Sequence, residues 1–300
     1  MSIYSQIARN KARTFFIIFF FVVFISFFFY LIGKYVGDPT TFFILGLLFS
    51  FFSGVASYFY SDKMVLFMMG ARPADRHKHF DFYTVAENLS IAAGLPKPRL
   101  YVIEDEALNA FATGRNPKHA VVAATTGILE KLERSELEGV IAHELSHIKN
   151  YDILLMSIVS ILVGMVVYVS DWTMRSMWWG GMRRDSRSDR RSGALLFIIF
   201  LIFLILMPIV ATLVQLALSR RREYLADASG ALLTRNPDGL ARALEKISTD
   251  PHILHTASNA TAHLFIANPL HKKSSAFSWI SGLFSTHPPV TERIKLLREM

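Results

Sequence analysis

Four strongly apolar stretches of the chain carry no charged residue: Thr14–Gly33 (20 residues), Pro39–Ser61 (23), Ile153–Ser170 (18) and Ser192–Ser219 (28). The hydrocarbon core of a bilayer takes about 20 apolar residues as helix. The first, second and fourth stretches are long enough to cross it, and the third is marginal. The pattern predicts a multi-pass α-helical membrane protein. The first apolar run is too long for a signal peptide and no small-x-small cleavage site follows it, so it reads as a retained anchor.

The same stretches divide the chain. A short basic tail and a first membrane hairpin occupy 1–60, a polar segment 61–152, a second hairpin 153–219, and a polar C-terminal part 220–300. Within the polar segment, "HFDFYTVAENLSIAAG" (79–94) repeats apolar residues at helical spacing and stops at Gly94 and Pro96. "RLYVIED" and "HAVVAAT" read as short strands, and "NAFATG" between them as an edge strand. "RSELEGVIAHELSH" reads as a helix that starts with Ser135 and Glu138 at capping-box spacing. No breaker follows it, so it is expected to continue into the third apolar stretch. Outside the membrane the fold is therefore mostly α with a small sheet.

Charge sharpens the membrane reading. The net charge is +8 with 52% hydrophobic residues, and the mean hydropathy is +0.34. Arg9, Lys11 and Arg13 precede the first stretch, and Arg220, Arg221 and Arg222 follow the fourth. Basic residues in that position set orientation and touch anionic headgroups, so the excess charge does not indicate a nucleic-acid partner. Three basic residues before the first stretch against Lys34 after it place the N-terminus inside, and two crossings later the polar segment 61–152 as well. The 171–193 linker, with six Arg and three Asp, runs against that bias. The chain has no cysteine. That excludes disulfides and thiolate metal sites and fits a reducing compartment.

The predicted helix carries His143-Glu144-x-x-His147. Residues four apart share a helical face, so both imidazoles can meet one ion, with Glu144 beside it as a base. Catalytic zinc uses three protein ligands and keeps one position open. The metzincin extension would need Gly at 150 and His at 153, where this chain has Asn150 and Ile153. "SRRREYLADASG" offers Glu223 instead, with Asp227 four residues on as a hydrogen-bond acceptor for a ligand histidine. Its small residues Ala226, Ala228 and Gly230 permit close helix approach. From the residues alone, Glu223 and Asp227 fit equally a polar helix paired with Arg220 and Arg222. "NPDG" (236–239) raises a second arrangement, the intramembrane site-2 protease, with Asp238 as ligand. A third is a non-enzymatic membrane scaffold with a structural metal site.

"NAFATG", "AHELSHIKNYD", "SRRREYLADASG" and "STHPPVTERI", in this order and with four apolar segments, resemble the HtpX-type membrane zinc metalloproteases, relatives of the CAAX prenyl proteases. The resemblance covers nearly the whole chain. It implies a zincin-like (gluzincin) α+β catalytic domain and one zinc ion per chain, held by His143, His147 and Glu223. Glu144 would be the general base, Asp227 the support of a histidine ligand, and His287 the stabiliser of the oxyanion. Substrate is expected to add as a strand along Asn109, Ala110, Phe111, Ala112 and Thr113. The expected substrates are unfolded or damaged membrane proteins, cleaved at the inner cell membrane by a catalytic domain that faces the cytoplasm.

Overall fold

The computed structural model describes residues 3–162, 164, 220–254, 261, 264–267 and 288–300. The first two apolar stretches form helices α1 (Ile3–Val36) and α2 (Pro39–Met68), packed as an antiparallel hairpin. Asp38 caps α2 by accepting from the Thr41 N–H, and Pro39 follows in the first turn, where no N–H is needed. Gly46 lets the pair close: a Cβ there would stand 2.5 Å from Phe29 Cβ. Outward the hairpin shows large apolar side chains such as Phe15, Phe20, Phe49 and Phe52, and the segments Ile7–Leu31 and Pro39–Met68 are long and apolar enough to cross a membrane.

Behind the hairpin lies a four-stranded sheet of β1 (Arg72–Pro73), β2 (Arg99–Ile103), β3 (Ala110–Thr113) and β4 (Val121–Thr125), in the order β1-β2-β4-β3. β2 and β4 are parallel and the other pairs antiparallel. The strand period of two sorts side chains onto two buried faces. Leu100, Val102, Ala110, Ala112, Val122 and Ala124 face one core, with α3 (Phe80–Ala93), α5 (Arg134–Lys149) and the C-terminal helices. Ile103, Phe111, Val121 and Ala123 face a second core with α1, α2 and α6 (Asp152–Leu162). The sheet thus joins the half built on α3 and α5 to the apolar hairpin. α3 ends, as its sequence predicts, at Gly94 in the left-handed region (φ 67).

After α4 (Thr126–Lys131), α5 starts two residues earlier than the Ser135–Glu138 pair predicts. Glu133 is extended (ψ 159) and is the cap, and the reciprocal partner is Glu136, whose Oε2 accepts from the Glu133 N–H at 2.8 Å. Ser135 is already inside the first turn, where its hydroxyl meets Arg242. Nor does α5 run on into the third apolar stretch. It stops at Lys149, and Tyr151 takes a positive φ of 59° before α6 begins. A non-glycine residue in that region breaks the helix and redirects the chain. Every residue of α6 is buried, with Leu154, Leu155, Met156, Ile158, Val159 and Leu162 in the second core and Ile153 in the first. Apart from Gly164, the rest of the third stretch, the fourth stretch and the arginine-rich linker lie outside the described residues.

The C-terminal part supplies α7 (Arg220–Thr234), α8 (Pro237–Thr249) and α9 (Val290–Arg298). α5 is held between α7 and α8 by two glycines. A Cβ on Gly139 would stand 2.7 Å from Leu240 N, and one on Gly230 would stand 3.1 Å from His143 N. The small residues of α7 therefore serve the close approach their spacing predicts.

Candidate active site

Close packing of α7 on α5 brings Glu223 over the face that carries His143 and His147. One ligand atom from each of the three lies within 4.8 Å of the others. His143 Nε2 and His147 Nε2 are 3.1 Å apart, and each is 3.6 Å from a Glu223 carboxylate oxygen. Ligands about 2.0–2.1 Å from a tetrahedral zinc stand roughly 3.3 Å from one another, so the three donors fit such an ion.

Hydrogen bonding decides what these atoms offer. His143 Nδ1 lies 2.9 Å from Asp227 Oδ1, and His147 Nδ1 lies 3.2 Å from Asp152 Oδ2. A carboxylate takes the proton on the near ring nitrogen, so both Nε2 atoms present lone pairs. Two lone pairs and a carboxylate then converge in a buried space, an arrangement that calls for a cation. The charges agree. Burial opposes a charge on His147, but Asp152, Glu223 and Glu144 outweigh it and raise its pKa to about 9. His143 is pushed down, chiefly by burial.

Glu144 is buried beside the triad. Burial, with Glu223 adding to it, raises its pKa to about 7, and the Ala112 backbone N–H donates to its carboxylate. This puts the candidate base against the edge strand. β3 is at the sheet edge as its sequence predicts, but part of that edge is taken. Phe265 forms an antiparallel bridge with Phe111, the Ile266 N–H donates to the Ala110 carbonyl at 3.1 Å, and Asn109 Nδ2 donates to the Ala267 carbonyl. Of Asn109, Ala110, Phe111, Ala112 and Thr113, Ala112 is the residue that meets Glu144.

Two residues not singled out by motif complete the surroundings. Arg293 of α9 is fully buried and donates twice to Asp227, at 2.7 and 2.8 Å, and once to the Ile266 carbonyl at 2.7 Å. It holds the Asp227 carboxyl below its ordinary range against the opposing effect of burial. Asp152, five residues after His147, is the other. Arg293 sits within "STHPPVTERI", but its partner lies 66 residues away and no local spacing announces the pair. His287 lies outside the described residues. Asp238 is half-exposed on α8, paired with Arg242, while Asn236 caps that helix.

The Gly230 contact leads to a first prediction. Gly230→Leu should force α7 off α5, costing about 1–3 kcal/mol by overpacking and displacing Glu223 from the histidines. Thermal unfolding and metal analysis of the variant should show both losses together.

Residues 77–300 match Peptidase family M48. The chain belongs to peptidase family M48. It is similar over its whole length to M48 relatives named "Protease HtpX homolog". The relative of Tropheryma whipplei (strain Twist) is 48% identical over 99% of this chain and 98% of its own. That of Caldanaerobacter subterraneus subsp. tengcongensis is 43% identical over 100% and 98%. The crystal structure of S. mikatae Ste24p superposes with a TM-score of 0.46 at 18% identity, covering 91% of this chain and 61% of that one. As an M48 member of the HtpX type, the chain is a protease, and its fold is mostly helical with a small sheet.

Proposed function

We propose that the protein is a membrane-bound zinc metalloendopeptidase in which His143, His147 and Glu223 hold one zinc ion. The observation that carries this reading is the convergence of two Nε2 lone pairs and a carboxylate, with both Nδ1 atoms turned to carboxylates. Zinc in this setting supplies a Lewis acid that polarises the scissile carbonyl and activates water. Glu144 takes a proton from the attacking water and returns it to the leaving amine, a task suited to a carboxyl raised toward neutrality. Arg293 and Asp227 hold the His143 ring. Substrate backbone pairs at Ala112, the part of the edge beside Glu144, and His287 stabilises the developing oxyanion.

The substrates are unfolded or damaged membrane proteins, cleaved as quality control under stress at the inner cell membrane. The catalytic half faces the cytoplasm. Support for that orientation comes from the hairpin: Asn10 near its start reaches Asn150, and Asp62 near its end pairs with Arg99. Both ends therefore sit on the catalytic half, on the side of Arg9, Lys11 and Arg13. The site-2 arrangement is not favoured, because Asp238 stays on the surface of α8.

Purified full-length protein should cleave unfolded polypeptide, stop with a chelator and recover with added zinc. Glu223→Ala should lose the metal, while Asp238→Ala keeps it. Cleavage that persists after complete metal removal would refute the reading. The pH profile offers a further check. Glu144 must be ionised to act as base. Its ordinary value is 4.5, its surroundings raise it to about 7, and a neighbouring cation pulls it back down. The acid limb of cleavage should therefore fall between pH 4.5 and 7, with activity lost as pH drops through it.

A further inference from the structure

The helix break at Tyr151 has a consequence for His147. With φ at 59°, the turn swings Asp152 back beneath the imidazole, 3.2 Å from Nδ1. A left-handed non-glycine residue is strained and persists where its surroundings over-determine it. Here the surroundings come from the membrane helix. Asn10 of α1 is buried, and its side-chain amide uses both hydrogens on this turn: one to Asp152 Oδ1 at 2.7 Å, one to the Asn150 carbonyl at 3.1 Å. The Lys11 ammonium stands 4.6 Å from the centre of the Tyr151 ring. Arg222, next to Glu223, reaches Asp152 Oδ1 at 3.4 Å. One carboxylate thus joins α1, α5 and α7 at the candidate metal site.

We propose that Asp152 and Asn10 are positioning residues. Asp152 fixes the tautomer and ring orientation of His147, and Asn10 ties that carboxylate to the first membrane helix, so that the seating of α1 sets the affinity for the metal. The proposal rests on His147 being a metal ligand. It adds that the membrane hairpin acts on the site as well as anchoring it. Removing a hydrogen-bond acceptor behind a metal-bound histidine typically weakens binding about 10–100-fold. Asn10 acts one bond further away, so its loss falls at or below the lower end of that range.

The test uses the full chain in detergent and reads zinc affinity by competition with a chromophoric chelator. It also reads the absorption of the Co(II)-loaded protein and the thermal midpoint of the metal-stripped protein. Asp152→Ala should bind zinc about 10–100-fold more weakly. Asp152→Asn, nearly isosteric and still an acceptor, should fall between it and the parent and shift the Co(II) spectrum. Asn10→Ala should weaken zinc binding in the parent but add no further loss in an Asp152→Ala background, because the two act through one carboxylate. Unchanged zinc affinity in Asn10→Ala, or losses that multiply in the double variant, would overturn the proposal, even if both variants melt earlier. A parent that takes up no zinc would refute the site reading itself. That differs from a zinc-binding parent whose variants bind equally tightly, which refutes the positioning role alone.

Discussion

Glu144→Gln is expected to abolish cleavage while leaving the metal in place. The substitution keeps the side chain's shape and removes its ability to take a proton. Glu144 is fully buried, accepts from the Ala112 N–H and contributes no ligand to the His143–His147–Glu223 cluster. An amide oxygen can still accept that bond, so the local structure should hold. Loss of a positioned general base costs typically about 10²–10⁴-fold in rate, and the effect should appear in kcat. Single-turnover cleavage of an unfolded substrate, beside zinc analysis of the same preparation, checks it. Cleavage at the parent rate would remove Glu144 from the mechanism.

Arg293→Met should give the largest loss of stability. The guanidinium is fully buried and makes a two-point contact with the Asp227 carboxylate. Removing one partner of a buried pair leaves an uncompensated charge, at a cost of about 3–5 kcal/mol. A combined Arg293→Met, Asp227→Leu variant removes both charges and should recover much of that loss. It should not recover metal affinity, because His143 Nδ1 then lacks its acceptor. Thermal unfolding and zinc titration of the two variants separate the effects. Equal stability of Arg293→Met and the parent would mean that the buried pair is not what locks α9 onto α7.

The parts of this structure legible in the sequence are those written in local periodicity. Uncharged runs mark α1 and α2, helical spacing and Gly94 mark α3, and alternation marks β2 and β4. The histidine pair four apart on α5 is local in the same sense. What was not legible depends on contacts distant along the chain or on exceptions to local rules. β1 is two residues long and contains a proline, so no alternation exposes it. The cap of α5 is Glu133, because Glu133 and Glu136 stand at the same spacing as Ser135 and Glu138 and form the reciprocal pair two residues earlier. The break at Tyr151 has no glycine to announce it. Asp152 stands in plain view after the H-E-x-x-H motif, but its contact with His147 exists only because the helix ends there, and Asn10 reaches it across 142 positions. Likewise the pairing of Phe265 with the β3 edge joins segments that share no pattern.

The central claim is that His143, His147 and Glu223 hold a catalytic zinc. Metal analysis of the purified parent, Glu144→Gln and Glu223→Ala proteins, run with a cleavage assay on each, tests it most directly. The account predicts about one zinc per chain in the parent and in Glu144→Gln, with cleavage in the parent alone, and loss of both zinc and cleavage in Glu223→Ala. A parent that cleaves without bound metal, or a Glu223→Ala protein that keeps its zinc and its activity, would contradict it.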